Sequence, residues 1–172
     1  MATEETILTL GDLVIPAGAG RNISQTLQFI DNGDVRRTIN GTLTDLTRVV
    51  NRKFESQIST IDQATPAITE LFKGQAILVE CISKLRQNVF PASTTETLIR
   101  DPVVSSVLGR DSSGAPINPT IVGGTGNRDI TFAVNIVLIE FRPILNMMVL
   151  ANSINTDEYG ASEGWTLDLE EV

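Results

Sequence analysis

Carboxylates are the most numerous ionisable groups in the chain, and two adjacent pairs stand out, Asp157-Glu158 and Glu170-Glu171. Paired carboxylates can serve acid–base hydrolysis or hold a hard cation. Neighbouring residues on a strand point to opposite faces, so neither pair is expected to share a substrate. Asn155, Asp157 and Tyr159 do not supply the alternating oxygen ligands of a calcium loop. The chain has no histidine, which removes the commonest general base and transition-metal ligand together and excludes Ser-His and Cys-His pairs. The single cysteine, Cys81, can form neither an internal disulfide nor a multi-cysteine metal site. Within AILVECISKL it reads as a small buried apolar residue. Gly123 to Asp129 (GGTGNRD) lacks the lysine and hydroxyl residue of a phosphate loop and precedes a strand, and Ala17 to Asn22 (AGAGRN) has the same defect. These residues predict no catalytic, cofactor-binding or metal site, and no enzyme.

Charge is distributed unevenly. The net charge is -8, yet Arg36, Arg37, Arg48, Arg52 and Lys53 place five of the thirteen basic residues within positions 36–53. From Asp157 to the C-terminus there are six carboxylates and no base. No aromatic platform accompanies the arginines, and Asp31, Asp34, Asp45 and Glu55 dilute them, which argues against a nucleic-acid groove. The acidic balance argues against tight gripping of DNA phosphates. Oppositely charged regions in one chain fit head-to-tail association of copies, as a ring or a stack.

The elements that must position these charges read as β. Phe54, Ser56 and Ile58 alternate with Glu55, Gln57 and Ser59, a strand with one packed and one wet face. Ala76 to Ser83 has Ile77, Val79 and Cys81 on an apolar face and Glu80 on the other. Ile130 to Phe141 is apolar on nearly both faces and is expected as a central strand, with Pro143 marking a bulge or corner. ILNMMVLANSI follows as a strand. Trp165 to Val172 closes the chain, Trp165, Leu167 and Leu169 inward and Thr166, Asp168 and Glu170 outward. Asn32-Gly33 and Asn40-Gly41 are type I' hairpin dipeptides and bracket Arg36 and Arg37 in a meander. One short helix is expected at Pro66 to Phe72, capped by Thr65 and ended by Gly74, with a weaker candidate at Leu43 to Asn51. One short helix among strands predicts a mainly β fold, a β-sandwich or partly closed β-barrel.

A length of 172 residues is that of one domain. Residues 88–128 hold four of the seven prolines and are expected to form a long irregular insertion or arm. Asn135, Glu140 and Arg142 interrupt the longest apolar run, so no spanning helix is expected. The acidic start (MATEETILTLGDLVI) is unlike a secretory signal, so the protein is expected to stay in the cytoplasm where it is made.

The blocks DVRRTINGTLTDLT, FESQISTIDQATPAITELFKGQAILVECI and RPILNMMVLANSINTDEYGASEGWTLDLEEV resemble the tail tube (major tail) proteins of long, non-contractile-tailed bacteriophages, of the flagellum-targeting type. The shared arrangement is RRT-NGTL, a strand leading to D-x-x-x-P-A, a GQ-strand-C segment, RP-x-L, and a terminal GW-x-L-x-LEEV. The resemblance implies a structural virion protein made in the host cytoplasm. Six copies would close a ring, and rings would stack into the tube through which DNA is ejected. Implied partners are copies of itself, the tape measure and terminator proteins, and phage DNA in transit, with no cofactor and no membrane insertion. A negatively charged bore lets DNA pass without sticking. On this basis Glu55, Gln57, Ser59 and Glu80 are candidates to line the lumen. Arg36, Arg37, Arg48 and Arg52 against Asp168, Glu170 and Glu171 are candidates for contacts between subunits. A tail terminator or distal tail protein, which forms one ring and stops, is the alternative.

Overall fold

The structure, a computed structural model, describes residues 6–30, 35–45, 52–123, 126–157 and 162–172. It is mainly β, with 57% strand, almost no helix, and a sheet curled as a half-barrel. The strands in chain order begin with β1 (Thr9–Leu10), β2 (Ser24–Phe29), β3 (Val35–Arg37), β4 (Leu43–Asp45), β5 (Phe54–Asp62) and β6 (Ala76–Glu80). Next come β7 (Leu85–Thr97), β8 (Asp101–Pro102), β9 (Leu108–Arg110), β10 (Pro116–Ile117) and β11 (Ile121–Val122). The last three are β12 (Asp129–Phe141), β13 (Pro143–Thr156) and β14 (Glu163–Glu171). The chain divides into two compact units, whose boundaries fall inside β6 and β13.

The first unit comprises Ile15–Ile77 and Met147–Val172. Here β14 lies between β13 and β5, and β2 adds to the other side of β5, all antiparallel. Alternation sends Phe54, Ile58, Val149, Trp165, Leu167 and Leu169 into the core, each no more than 2% exposed. Trp165 also donates its indole N–H to the carbonyl of Ala19 at 3.3 Å, satisfying the one polar atom it buries. The expected helix is a three-residue 3-10 turn, Ile68–Glu70. It starts after Ala67 with no side-chain cap, and Leu71 is already extended. The reason is tertiary: Asn152 Nδ2 donates to the carbonyls of Ile68 (2.7 Å) and Leu71 (2.8 Å), and Ile68 is fully buried. Leu43–Asp45, part of the weaker helix candidate, is strand; residues 46–51 lie outside those described.

The second unit comprises Thr6–Val14 and Leu78–Asn146. Its sheet runs β10-β9-β12-β11, with β7 also paired to β12, so β12 is the central strand expected from its composition. Its core is Val89, Leu98, Val107, Ile130, Phe132, Ile136, Ile139 and Phe141. Residues 88–128, expected to be irregular, contain most of β7 and all of β8 to β11. Apart from β7, their strands are two or three residues long, and polar clasps replace periodicity. Arg128 Nε pairs with Asp101 at 2.7 Å, and Asp111 Oδ1 accepts the amides of Ser113 (2.8 Å) and Ala115 (3.0 Å). Pro143 marks a break, with Arg142 out of strand between β12 and β13. Glu140 is 7% exposed and lies between Arg86 (3.3 Å) and Arg110 (3.4 Å). Among the described residues no helix is long and apolar enough to cross a membrane.

Candidate functional site: an acidic sheet face and an arginine hairpin

The antiparallel register of the first unit builds one polar face, because directly opposed residues point the same way. Its first rung is Gln28, Glu55, Glu170 and Met148. The second is Thr26, Gln57, Asp168 and Ala151. Ser24, Ser59, Thr166 and Ser153 form the third. Two amides hold two of the carboxylates: Gln28 Nε2 donates to Glu55 Oε1, and Gln57 Nε2 donates to Asp168 Oδ1 at 2.9 Å. Such bonds orient a carboxylate without cancelling its charge. Thr26, Gln28, Glu55, Gln57, Leu150 and Asp168 line a depression of about 360 Å³ on this face.

Lys and Arg are absent from the sequences of β2, β5 and β14 and from Met147–Thr156 of β13. Glu55 stands directly opposite Glu170, and like charges opposed across a sheet are destabilising. The lone chain gains nothing from that pairing. Lumen candidates Glu55, Gln57 and Ser59 therefore share a face with Asp168 and Glu170, which were expected to serve contacts between subunits. Glu171 has the opposite parity, and its carboxylate accepts the amide of Phe54 at 3.0 Å. Glu80 belongs to the second unit, opposite Thr9 on β1. Sequence reasoning missed Thr26 and Gln28, although SQTLQF carries a weak period of two. It marked Asp62 only as the first residue of D-x-x-x-P-A, and missed that it anchors the chain reversal at Arg21.

The arginine pair lies on a two-stranded sheet of its own, β3 with β4. Arg36 opposes Thr44 and Arg37 opposes Leu43, so the two guanidiniums leave opposite faces of the ribbon, as alternation predicts. The turn is not the expected type I'. Gly41 alone has positive φ (79°), while Asn40 does not, and the amide of Thr38 donates to Thr42 O at 2.8 Å. This is the three-residue loop with glycine in the left-handed position. Arg37 donates to Gly41 O at 3.1 Å. Ile39 and Leu43 on the same ribbon are 102% and 60% exposed. Arg52 is exposed just ahead of β5, while Arg48 and the Asn32-Gly33 turn lie outside the described residues.

Among the described residues no group of three or more His, Cys, Asp or Glu is placed to hold a metal ion. The arrangement suits repulsion of anions on the sheet face and attraction of them on the hairpin. No family model, no curated protein and no solved structure matches this chain.

Proposed function

We propose that this chain is a structural, self-assembling subunit of a phage-type tail tube. In this reading six copies close their curled sheets into a ring, and rings stack around a bore that passes DNA. The observation that carries it is the β13–β14–β5–β2 face, where Glu55, Asp168 and Glu170 stand among Ser, Thr and Gln residues with no base in those strand segments. Proteins that hold DNA place Lys and Arg against phosphates; a face of this composition repels them and stays wet. Asp168 and Glu170 then line the bore with Glu55, Gln57 and Ser59, rather than meeting a neighbouring subunit.

The hairpin supports the cohesive half of the reading. A two-stranded ribbon is marginal by itself in water, and this one exposes Ile39 and Leu43 beside Arg36 and Arg37. Apolar tips flanked by cations suit an acidic, partly apolar surface on the next copy, with the charges setting register. Tape measure and terminator proteins are the further partners of such a tube, and its place is the virion.

Negative-stain microscopy of the purified protein tests this directly, with hollow rods of uniform width expected. Closed rings that never lengthen would favour the terminator-type alternative, and a solitary monomer at high concentration would overturn self-assembly. Changing Arg36 and Arg37 together to Glu should leave a folded monomer that forms neither rings nor rods. Normal rods from that variant would remove the hairpin from the interface.

A further inference from the structure

Within the second unit, one buried cation holds the segment that leads into β1. Arg142 is 8% exposed, and its guanidinium donates to two backbone carbonyls. Nε reaches Cys81 O at 2.7 Å, and a terminal nitrogen reaches Ile7 O at 2.5 Å. No carboxylate pairs with it among the described residues. Its own backbone amide donates to Ser106 Oγ at 2.9 Å, which fixes the chain at this residue.

The rest of the seat is two buried leucines and a two-residue ladder. Leu8 and Leu10 are buried at 3% and 1% exposure, whereas Ile7 and Val14 stay 58% and 76% exposed. β1 pairs with β6 through Thr9 with Glu80 and Leu10 with Val79, and Gly11 donates to Leu78 O at 2.7 Å. A two-residue ladder at the edge of a sheet opens more readily than the long central strands, even with two leucines seated. An emptied slot is a different matter. A buried guanidinium deprived of an acceptor is strongly destabilised, and the edge of β6 would expose unpaired backbone groups.

We infer that residues 6–11 form a releasable strap seated on Arg142, and that the slot it leaves is refilled by the same residues of a second copy. The slot requires a carbonyl at one position, leucines one and three residues later, and an amide beyond them. The identical segment of another chain meets every requirement with no new contact, which makes exchange a low-cost link between copies. The inference rests on the self-assembly proposed above and adds a specific joint to it.

Two measurements on the full chain test the seat and the exchange. In Arg142→Met, amide hydrogen exchange at Gly11 should quicken by roughly tenfold or more while Ile58 and Leu167 stay as in the wild type. An unchanged rate at Gly11, or equal acceleration at all three, overturns the seat. The second uses Thr9→Cys with Glu80→Cys in a Cys81→Ala background, since Thr9 and Glu80 are direct partners across the strands. Oxidation should join the pair within one chain in dilute solution and between chains, as a ladder on a non-reducing gel, as concentration rises. Intrachain product alone at every concentration overturns the exchange. If sedimentation of those samples still shows oligomers, self-assembly stands without the strap.

Discussion

Asp62 ends β5 with its side chain 5% exposed, beside Arg21 at 2.9 Å. It accepts the amides of Arg21 (2.9 Å) and Gln63 (2.8 Å). Burial alone pushes the carboxyl up, but these hydrogen bonds and the guanidinium outweigh it and hold the group below its ordinary value of 3.8. Asp101 follows the same logic, burial being outweighed by Arg128 and the Gly126 amide. A depressed carboxylate stabilises the fold fully above its unfolded value, about pH 4, and that stabilisation is lost as pH falls through the folded value. Asp62→Asn should therefore cost about 1–3 kcal/mol at pH 7, since it weakens three charge-assisted bonds at a buried site. Chemical denaturation at a series of pH values should show the gap to wild type closing below about pH 4. A gap of the same size at pH 3 and pH 7 would contradict the assignment. Asp62 stands out in the sequence only as the first residue of D-x-x-x-P-A; its role is hidden there because its partner lies 41 positions away.

At the scale of elements, β9 shows how the second unit is packed. A Cβ added to Gly109 would lie 2.5 Å from Phe132 Cε1 and 2.9 Å from Ile136 Cγ2, both in the core of that unit. Glycine is there for close approach, not for an unusual backbone angle. Gly109→Ala should destabilise by about 1–3 kcal/mol through overpacking, read as a lower thermal midpoint. Adding Phe132→Leu should recover part of the loss, and an alanine variant as stable as wild type would contradict the packing. Strand length, in turn, explains why the part of residues 88–128 beyond β7 was unreadable as strands. β8, β10 and β11 are two residues long and β9 three, too short for any period to register. Their positions depend on single anchors such as Leu98 and Val107, exposed by 2% and 5%. By contrast, β5 and β14 announce themselves, since each buries alternate residues across nine positions.

On the scale of the whole molecule, the charge of the sheet face is the property to perturb. Glu55→Lys places a cation opposite Glu170 and beside Gln28. It relieves a like-charge pair, so the folded chain should be at least as stable as wild type, by up to about 1 kcal/mol. If the face lines a bore, tubes should still form while DNA ejection from phage carrying the variant slows, measured by the rate of genome release. Loss of tubes instead would place β5 at a contact between subunits. Asp168→Lys serves as a second probe on the neighbouring rung, where Gln57 now holds the carboxylate.

Much about this chain follows from local pattern alone: a mainly β fold, the inward and outward faces of β5 and β14, the buried Cys81 at 0% exposure, and the hairpin that carries Arg36 and Arg37. Alternation and turn chemistry act between neighbours in the chain, so they can be read without knowing the fold. Which strands lie side by side could not be read that way. Pairing β14 with β5 joins residues more than a hundred positions apart, and that register alone puts Asp168 and Glu170 on the surface that bears Glu55 and Gln57. The same dependence decided that Arg142, which interrupts an apolar run in the sequence, is buried and bonded to the carbonyls of Ile7 and Cys81. A charge far along the chain is satisfied only once folding brings its acceptors within reach.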